Sequence, residues 1–494
     1  MIRSGLFILT GMLTLSTAQP VAIAHDYDWP LYKKSLAAGY KGVFTCGGLF
    51  NGGKTLAQIA QDELQGIRPE LQQIVDHLPP AVIDYDKKTV SISYDDKFPA
   101  RRWQWRPHLG CVQLPMGSTD SLAPVVPTMT QKALPERGDK WPNGDPKATI
   151  TSANEALNAV VSQAFNPELY NSNKKNGQKT TAILITSSKK LIHEHYRADY
   201  TPWTGQRTWS TAKSIAATVT GVAVQQKITD VKKPASIPHW QTQGDPRQNI
   251  TLENILHMGS GLFSGRAGNR TDKVYWGGSR VTETATMQPL EAAPGTRWKY
   301  ANNDTMLVMR AVREDIKQAL INQHGKVSDK DALQASLDFP FSQLFHKIGM
   351  YHTFPETDWG GNFIMSSQVW TTSRDLARLG ILHLRGGRWL PTESHPNGEQ
   401  ILPENWVKFI TTPAPAQPKS AARGGIGYGA QWWLYPNLGY ASRGNRGQIM
   451  LIIPQHDLII IRRGYDSATG GRFDMATFAR DILKTLPQRP AVKQ

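Results

Sequence analysis

The fold is decided at Ser210-Thr211-Ala212-Lys213, the start of an apolar run through the middle of the chain. Apolar residues follow it at helical spacing, which predicts a buried helix with Ser210 in its first turn: Ile215, Val219, Val222 and Ala223. Residues three apart share one helix face, so the Lys213 amine can reach the Ser210 hydroxyl. Free backbone N–H groups and the helix dipole at a helix start favour developing negative charge. The stretch therefore predicts a hydroxyl nucleophile that an amine activates.

The same S-x-x-K spacing occurs twice more, from Ser172 to Lys175 and from Ser187 to Lys190. The first lies in a polar run that predicts an exposed loop, and the second lies between two strand-like runs and predicts a hairpin turn. Only Ser210 begins a helical pattern. Taken alone, that pattern also fits a capping serine with a solvated lysine, so the rest of the chain has to decide between the two interpretations.

A second motif follows at Pro294-Gly295-Thr296-Arg297-Trp298-Lys299-Tyr300-Ala301-Asn302. It resembles the P-G-x-x-[FW]-x-Y-[SA]-N motif of the β-lactamase-related serine hydrolases. This group includes class C β-lactamases, D-alanyl-D-alanine carboxypeptidases, EstB-like esterases and 6-aminohexanoate-dimer hydrolases. Further segments match in the expected order, at 251–262, 372–380, 428–433 and 444–448. The resemblance covers roughly residues 150–485 and is greatest to the 6-aminohexanoate-dimer hydrolase branch.

The resemblance implies an α/β (α+β) fold of the β-lactamase/transpeptidase type. Its core is a five-stranded antiparallel sheet flanked by helices, with a helical subdomain inserted within residues 214–420. Strand-like runs around 181–196 and a hairpin over 448–462 supply strands, and 473–486 is predicted as a closing helix. Ser152-Ala153-Asn154-Glu155 predicts a capping box for a further helix through about Phe165.

By the same resemblance, Ser210 is the nucleophile, and Lys213 and Tyr300 together are its general base and acid. Asn302 then orients Lys213 by hydrogen bonding. For Lys213 to act as a base, its surroundings must disfavour its charge. Taken singly, Tyr300 also fits a core aromatic residue and Asn302 a turn residue.

The third motif departs from the family pattern. Related β-lactamases and carboxypeptidases have Lys-Thr-Gly or His-Thr-Gly where this chain has Ser442-Arg443-Gly444. That lysine helps to hold the substrate carboxylate, so its absence disfavours an antibiotic substrate, although Arg443 or Arg446 are alternatives for its role. Gly444 permits close backbone approach, and the Asn445 amide is expected to join the Ser210 amide as the oxyanion hole.

The N-terminus predicts an exported protein. Residues 1–24 have the features of a signal peptide: Arg3, a short apolar stretch over 6–15, and the small-residue site Ala22-Ile23-Ala24. We expect a periplasmic or secreted protein without a transmembrane anchor. In an oxidising compartment the two cysteines, Cys46 and Cys111, predict one disulfide, the alternative being two buried free thiols.

Three further segments are expected after the signal peptide. Residues 25–112 form a small N-terminal module with a helical run over 55–77 and a strand over 89–94. Residues 113–150 are a proline-rich linker, and residues 151–490 are the serine hydrolase domain.

Composition excludes some classes of partner. The chain has 56 Lys and Arg against 40 Asp and Glu, a formal charge of +16, but its basic residues are dispersed and form no nucleic-acid-binding stripe. His193 and His195 lack a third ligand nearby and are expected to be structural. No metal or cofactor is expected, and the expected partner is a small ester or amide.

Three functions remain open. The first is hydrolysis of esters or amides, with an apolar acyl pocket built from aromatic residues among Trp203, Trp209, Tyr275, Trp276, Trp298, Trp432 and Trp433. The second is a β-lactamase or D-alanyl-D-alanine carboxypeptidase. The third is a catalytically idle protein that binds an envelope polymer. Glu356 and Asp358 match an E-x-D loop of the family without an assigned role.

Overall fold

The computed structural model describes residues 30–129, 134, 138–172, 177–265, 271–391 and 395–487. The predicted signal peptide lies outside these ranges. Within them, no helix has both the length and the apolar character that crossing a bilayer requires.

The N-terminal segment pairs a long helix with a small sheet. Its elements are α1 (Pro30–Phe50), α2 (Leu56–Gln58), a π-helical turn (Ile59–Glu63), α3 (Pro69–Val75), β1 (Val82–Asp84), β2 (Thr89–Ile92), β3 (Arg101–Arg106) and β4 (Gly110–Gln113). The four strands form an antiparallel sheet in chain order. The single helical run predicted over 55–77 is thus divided into short pieces. The 21-residue helix α1 was not predicted.

Helix α1 is joined to the rest of the molecule by packing and to its own sheet by a covalent bond. The Phe44 ring lies 5.5 Å from Trp209 and 6.5 Å from Trp370, so α1 shares a hydrophobic core with the helix that follows Ser210. Cys46 and Cys111 form a disulfide between α1 and β4. The predicted pairing is confirmed in the structure.

The central region begins with α4 (Glu155–Gln163), β5 (Thr180–Thr186), β6 (Leu191–Tyr196), β7 (Gln206–Arg207) and α5 (Thr211–Gln225). The predicted hairpin at Ser187 connects β5 and β6. Helix α4 begins one residue after Asn154, whose side chain accepts from the Leu157 N–H. The cap is therefore Asn154, because its oxygen reaches the free N–H, whereas the Ser152 hydroxyl accepts from Asn154 N.

A helical region follows, as expected for the insertion. It contains α6 (Leu252–Leu256), α7 (Asp272–Tyr275), α8 (Val281–Thr284), α9 (Asn302–His324), α10 (Asp329–Pro340), α11 (His346–Ile348), β8 (Phe354–Pro355), β9 (Val369–Thr371), α12 (Ser373–Leu384) and α13 (Trp406–Thr411). Strands β7, β9 and β8 form a small separate sheet. Residues 266–270 of the predicted insertion lie outside the described residues.

The chain then returns to the main sheet through β10 (Gly427–Tyr428), β11 (Trp433–Tyr435), β12 (Gly439–Gly444), β13 (Gln448–Ile453), β14 (Leu458–Gly464) and the closing helix α14 (Met475–Thr485). The strand order is β10-β11-β12-β13-β14-β5-β6, and all neighbours are antiparallel. The described sheet has seven strands rather than the expected five, because two short strands extend one edge. Leu184 of β5 pairs with Ile461 of β14, so early and late parts of the chain share one sheet.

Helices cover both faces of this sheet. On one face α4 and α14 bury Leu157, Phe478 and Ile482 against the sheet. On the other face α5 and α12 pack against Met450 and Ile461. This second face positions α5, and with it Ser210, beside the end of β12.

The segment over 138–150 lies against α12. The buried guanidinium of Arg378 donates to the carbonyl oxygens of Pro142 and Gly144, both at 2.9 Å. Arg374 donates to the Pro146 carbonyl at 2.7 Å. These bonds satisfy the backbone of a proline-rich segment that forms no sheet of its own.

Candidate active site

Ser210 lies immediately before α5, at the turn between Thr208 and the helix. Its backbone is helical and its hydroxyl makes no capping hydrogen bond. Trp209, the preceding residue, has φ +50°, which is unfavourable for a bulky side chain. Such conformations cost about 1–3 kcal/mol and persist where surrounding packing imposes them. Here the Trp209 ring packs against Phe44 at 5.5 Å and against the Arg207 guanidinium, which is 4.6 Å from its centroid.

Lys213 is buried one helical turn beyond Ser210, with 1% of the residue exposed. Its Nζ lies 3.3 Å from the Ser210 Oγ and donates at 2.7 Å to both Asn302 Oδ1 and the Ser366 carbonyl. These contacts fix the amine beside the hydroxyl. They are incompatible with a solvated surface lysine.

Burial also changes the proton affinity of this amine. Loss of solvation lowers the pKa of Lys213 from 10.5 to about 7, an effect that the Asp304 carboxylate opposes. Asp304 is itself buried and accepts from the Ser260 hydroxyl at 3.0 Å. Burial raises the pKa of Asp304 to about 7. A substantial neutral fraction of Lys213 is therefore present at neutral pH.

Tyr300 lies in an aromatic cluster on one side of Ser210. Its ring stacks on Trp433 at 5.6 Å and meets Tyr428 edge-on at 6.0 Å. The Lys213 Nζ lies 5.1 Å from its centroid. Burial raises the pKa of the Tyr300 phenol above its ordinary value, and a hydrogen bond with the Ser210 side chain opposes that rise. The phenol therefore remains protonated at neutral pH and can donate.

Gly444 ends β12 next to the segment that precedes Ser210. A Cβ at this position would lie 2.2 Å from the Thr208 carbonyl oxygen, so a larger residue would push the strand away. Asn445 follows directly and lines the same cavity as Ser210. Ser210 and Asn445, the predicted oxyanion-hole residues, therefore lie on neighbouring segments at the N-terminus of α5.

The two arginines of the third motif have different surroundings. Arg443 is half-buried, with its guanidinium 5.8 Å from the rings of Trp433 and Tyr435. Arg446 is buried and donates to the backbone carbonyls of Asp62, Glu63 and Gln65. Arg446 therefore joins the third motif to the N-terminal segment.

A cavity of about 530 Å³ opens beside Ser210. Its size falls within the usual range for small-molecule sites. The described residues that line it come from three parts of the chain: Tyr40, Gly66, Ile67, Arg68 and Leu71; Trp209, Ser210, Asp272, Tyr275, Trp276, Asn302 and Ser367; and Asn445, Arg446, Ala468 and Arg472. The first group belongs to the N-terminal segment, whose part in the site the sequence did not reveal.

Comparison with known proteins decides the family. A family model described as Beta-lactamase matches residues 169–462, more than half of the chain and all of the motifs around Ser210. The chain belongs to the beta-lactamase family. Proteins of this family are serine hydrolases, among them β-lactamases, esterases and amidases. A search of curated proteins found no match.

Solved structures of the family share the fold. A candidate β-lactamase of Bacteroides dorei DSM 17855 is 17% identical with a TM-score of 0.52, covering 68% of this chain and 99% of its own. A family VIII carboxylesterase is 12% identical with a TM-score of 0.50, covering 69% and 99%. A candidate 6-aminohexanoate-dimer hydrolase of Bacillus anthracis is 20% identical with a TM-score of 0.48, covering 63% and 81%. At these identities the first two likenesses concern the fold alone.

Five of the seven aromatic residues predicted for an acyl pocket lie near Ser210, in two groups. Trp209, Tyr275 and Trp276 line the cavity, and Trp298 and Trp433 pack around Tyr300. The other two lie elsewhere. Trp203 is exposed against His352, and Trp432 is buried against His383 and Tyr440.

The remaining polar residues singled out from the sequence support the scaffold. Glu356 accepts from the Asn51 amide at 2.8 Å and the Cys111 N–H at 3.2 Å, which ties its loop to the N-terminal segment. Asp358 accepts from the backbone of its own loop and from Val281 N.

The two histidines on β6 also have structural surroundings. The His193 ring accepts from Ser152 N at 3.1 Å. The His195 ring packs edge-on against Phe165 at 4.7 Å.

Proposed function

We propose that this protein is an exported serine hydrolase that cleaves ester or amide bonds through an acyl-enzyme on Ser210. The observation that carries the proposal is the buried Lys213 amine, 3.3 Å from the Ser210 Oγ, with a pKa lowered to about 7. An amine that is partly neutral at neutral pH can accept the serine proton.

In the first step the neutral Lys213 accepts the Ser210 proton while the Oγ bonds to the substrate carbonyl carbon. The Ser210 and Asn445 amides would stabilise the resulting oxyanion, and one such donor contributes about 3 kcal/mol. Tyr300 then donates its proton to the leaving oxygen or nitrogen as the bond to the carbonyl carbon breaks. Lys213 returns a proton to Tyr300, which leaves the acyl group on Ser210.

Deacylation reverses the roles. A water molecule attacks the acyl-enzyme and gives up a proton to the Tyr300 and Lys213 pair, which returns it to the Ser210 Oγ. The Asn302 Oδ1, 2.7 Å from Nζ, holds the amine in place throughout. Each turnover consumes one water and releases an acid and an alcohol or amine.

Two observations bear on the alternatives. Where related β-lactamases have the third-motif lysine, this chain has Ser442, whose side chain is buried. A β-lactam carboxylate would therefore lack that cation. A catalytically idle binding protein would have no use for a buried amine of lowered pKa, because burying it costs stability.

Export is supported by the N-terminal apolar stretch and by the disulfide between Cys46 and Cys111. Disulfides persist in the periplasm and outside the cell and are rare in the cytosol. The proposed location is periplasmic or secreted.

The test is turnover of p-nitrophenyl hexanoate by the wild type, Ser210→Ala and Lys213→Ala. We expect each variant to lose at least about 10³-fold in kcat with an unchanged circular dichroism spectrum. The matched control is Ser187→Ala/Lys190→Ala, the same spacing in the β5–β6 hairpin, which should keep the activity. A chromogenic cephalosporin, assayed in parallel, distinguishes β-lactamase activity. Retention of more than a tenth of the activity in either site variant would contradict the proposal.

A further inference from the structure

The N-terminal segment forms one wall of the Ser210 cavity. We call residues 66–71 the N-terminal wall, since Gly66, Ile67, Arg68 and Leu71 all line the cavity. Its position is fixed by contacts with the catalytic region. Arg446 donates to three carbonyls just before it, and Ala468 N donates to the Gly66 carbonyl at 2.8 Å.

A buried ion pair strengthens this docking. Lys54 Nζ lies 2.6 Å from Glu63 Oε1, and both side chains are fully shielded from solvent. The Tyr465 hydroxyl, from the segment after β14, donates to the same carboxylate at 2.6 Å. This buried network holds the N-terminal wall at a fixed position relative to Ser210.

The cavity combines apolar surface with positive charge. Ile67 and Leu71 of the wall, with Trp209 and Trp276 of the catalytic region, supply the apolar part. Its charged lining residues, as far as the structure describes them, are Arg68, Arg446 and Arg472 against Asp272. This composition suits an aliphatic chain that ends in an anion.

Arg68, the arginine of the N-terminal wall, is placed to bind such an anion. Its side chain is 37% exposed, and its Nη2 lies 3.5 Å from Asp272 Oδ2, a loose pairing. The other Asp272 oxygen, Oδ1, accepts from Trp276 Nε1 at 2.8 Å. The guanidinium therefore keeps donors available for a second carboxylate.

The proposed mechanism assigns the cavity to the acyl part of the substrate. Tyr300 is absent from the described residues that line it, and its aromatic neighbours Tyr428 and Trp433 are absent as well. In the proposed mechanism Tyr300 protonates the leaving group, which places that group on the aromatic side. The acyl chain then extends into the cavity towards Arg68.

We propose that Arg68 of the N-terminal wall binds a carboxylate at the far end of the acyl chain, so that the preferred substrates are esters or amides of acid-tailed acyl groups. The inference rests on the proposed hydrolase function and names its substrate class. Arginine and carboxylate pair through two parallel, charge-assisted hydrogen bonds, which gives both affinity and orientation.

The test compares three p-nitrophenyl esters with acyl chains of the same length: hexanoate, the monoester of adipate, and 6-aminohexanoate. The wild type should have the highest kcat/KM for the adipate ester. Arg68→Ala should lower the ratio of kcat/KM for adipate to that for hexanoate at least tenfold, mainly through KM. Arg68→Lys should restore part of the ratio, because lysine restores the positive charge but not the two parallel N–H donors of the guanidinium.

Arg102→Ala is the matched control, since Arg102 belongs to the same N-terminal segment but pairs with Asp120 at the surface. It should leave the ratio unchanged. An unchanged ratio in Arg68→Ala, or a preference of the wild type for the 6-aminohexanoate ester, would overturn the inference while leaving the hydrolase intact. If the wild type hydrolyses none of the three esters, the inference and the proposed function both fail.

Discussion

The two sides of the Ser210 hydroxyl differ in their exposure to solvent. On one side Lys213 is buried with its amine bonded to Asn302 and Ser366. On the other side an open cavity is lined by charged groups, among them the partly exposed Arg68. Burial shifts proton affinity, whereas partly exposed charge attracts a ligand without losing its ionisation. The comparison assigns proton transfer to the first side and recognition to the second.

The largest expected effect lies on the buried side. Tyr300→Phe removes the proposed acid, so kcat/KM for methyl hexanoate, which reports acylation, should fall about 10²–10⁴-fold. The loss in kcat/KM for p-nitrophenyl hexanoate should be much smaller, because p-nitrophenolate leaves without protonation. Tyr428→Phe removes the hydroxyl of the neighbouring ring and is the matched control. It should leave the ratio of the two esters' rates as it is in the wild type. Equal losses for both esters in Tyr300→Phe would contradict the assignment of the acid.

The next effect concerns the cavity side of Ser210, because the Cys46–Cys111 disulfide fixes the segment that contains the N-terminal wall. Cys46 and Cys111 are separated by 65 residues. Replacing both by Ala should lower the free energy of unfolding by about 4 kcal/mol in the chain-entropy model. Denaturant melts of wild type and variant measure this difference. A loss below about 1 kcal/mol would show that packing alone holds the segment.

The last effect is a pH dependence, which is the smallest of the three per pH unit. The folded-state pKa of Lys213, about 7, lies below its ordinary value of 10.5. Between these values the unfolded chain binds more protons, so Lys213 makes the folded state more stable as the pH rises from 7 to 10.5. The free energy of unfolding of the wild type minus that of Lys213→Met should therefore rise by up to about 1.4 kcal/mol per pH unit in that range. A flat difference in denaturant melts would contradict the lowered pKa.

The same shift governs activity. Since the base must be neutral, kcat/KM of the wild type should fall as the pH drops below about 7.

The β5–β6 hairpin and the Ser210–Lys213 pair could be predicted from local signals, whereas the whole sheet and the Tyr300 motif were expected from the family resemblance. The β5–β6 hairpin and α5 follow from periodicity, and Ser210 and Lys213 are one helical turn apart. The motif around Tyr300 brings in Asn302, which the structure places 2.7 Å from Lys213 Nζ.

Helix α1 could not be predicted in this way, because it contains four glycines: Gly39, Gly42, Gly47 and Gly48. Glycine has a low helix propensity. Here its lack of a side chain permits close packing, since a Cβ at Gly42 would lie 2.1 Å from the Trp103 ring, and one at Gly47 would lie 2.6 Å from Trp370. Tertiary contact therefore overrides the local preference.

Asp304 and Arg68 could not be identified as residues of the site from the sequence either. Asp304 lies two residues beyond the Tyr-Ala-Asn motif, and its importance comes from its burial near Lys213. Arg68 reaches the cavity only because the N-terminal segment docks on the catalytic region through Arg446. Both positions depend on contacts between parts of the chain that are distant in sequence.

An acyl-enzyme on Ser210 is tested most directly by the mass of the intact protein during turnover. After rapid acid quenching of a reaction with p-nitrophenyl hexanoate, we expect a species heavier by one hexanoyl group, with that group on the peptide that contains Ser210. Ser210→Ala should remain unlabelled. Turnover by the wild type without any acylated species, or a label on another residue, would contradict an acyl-enzyme on Ser210.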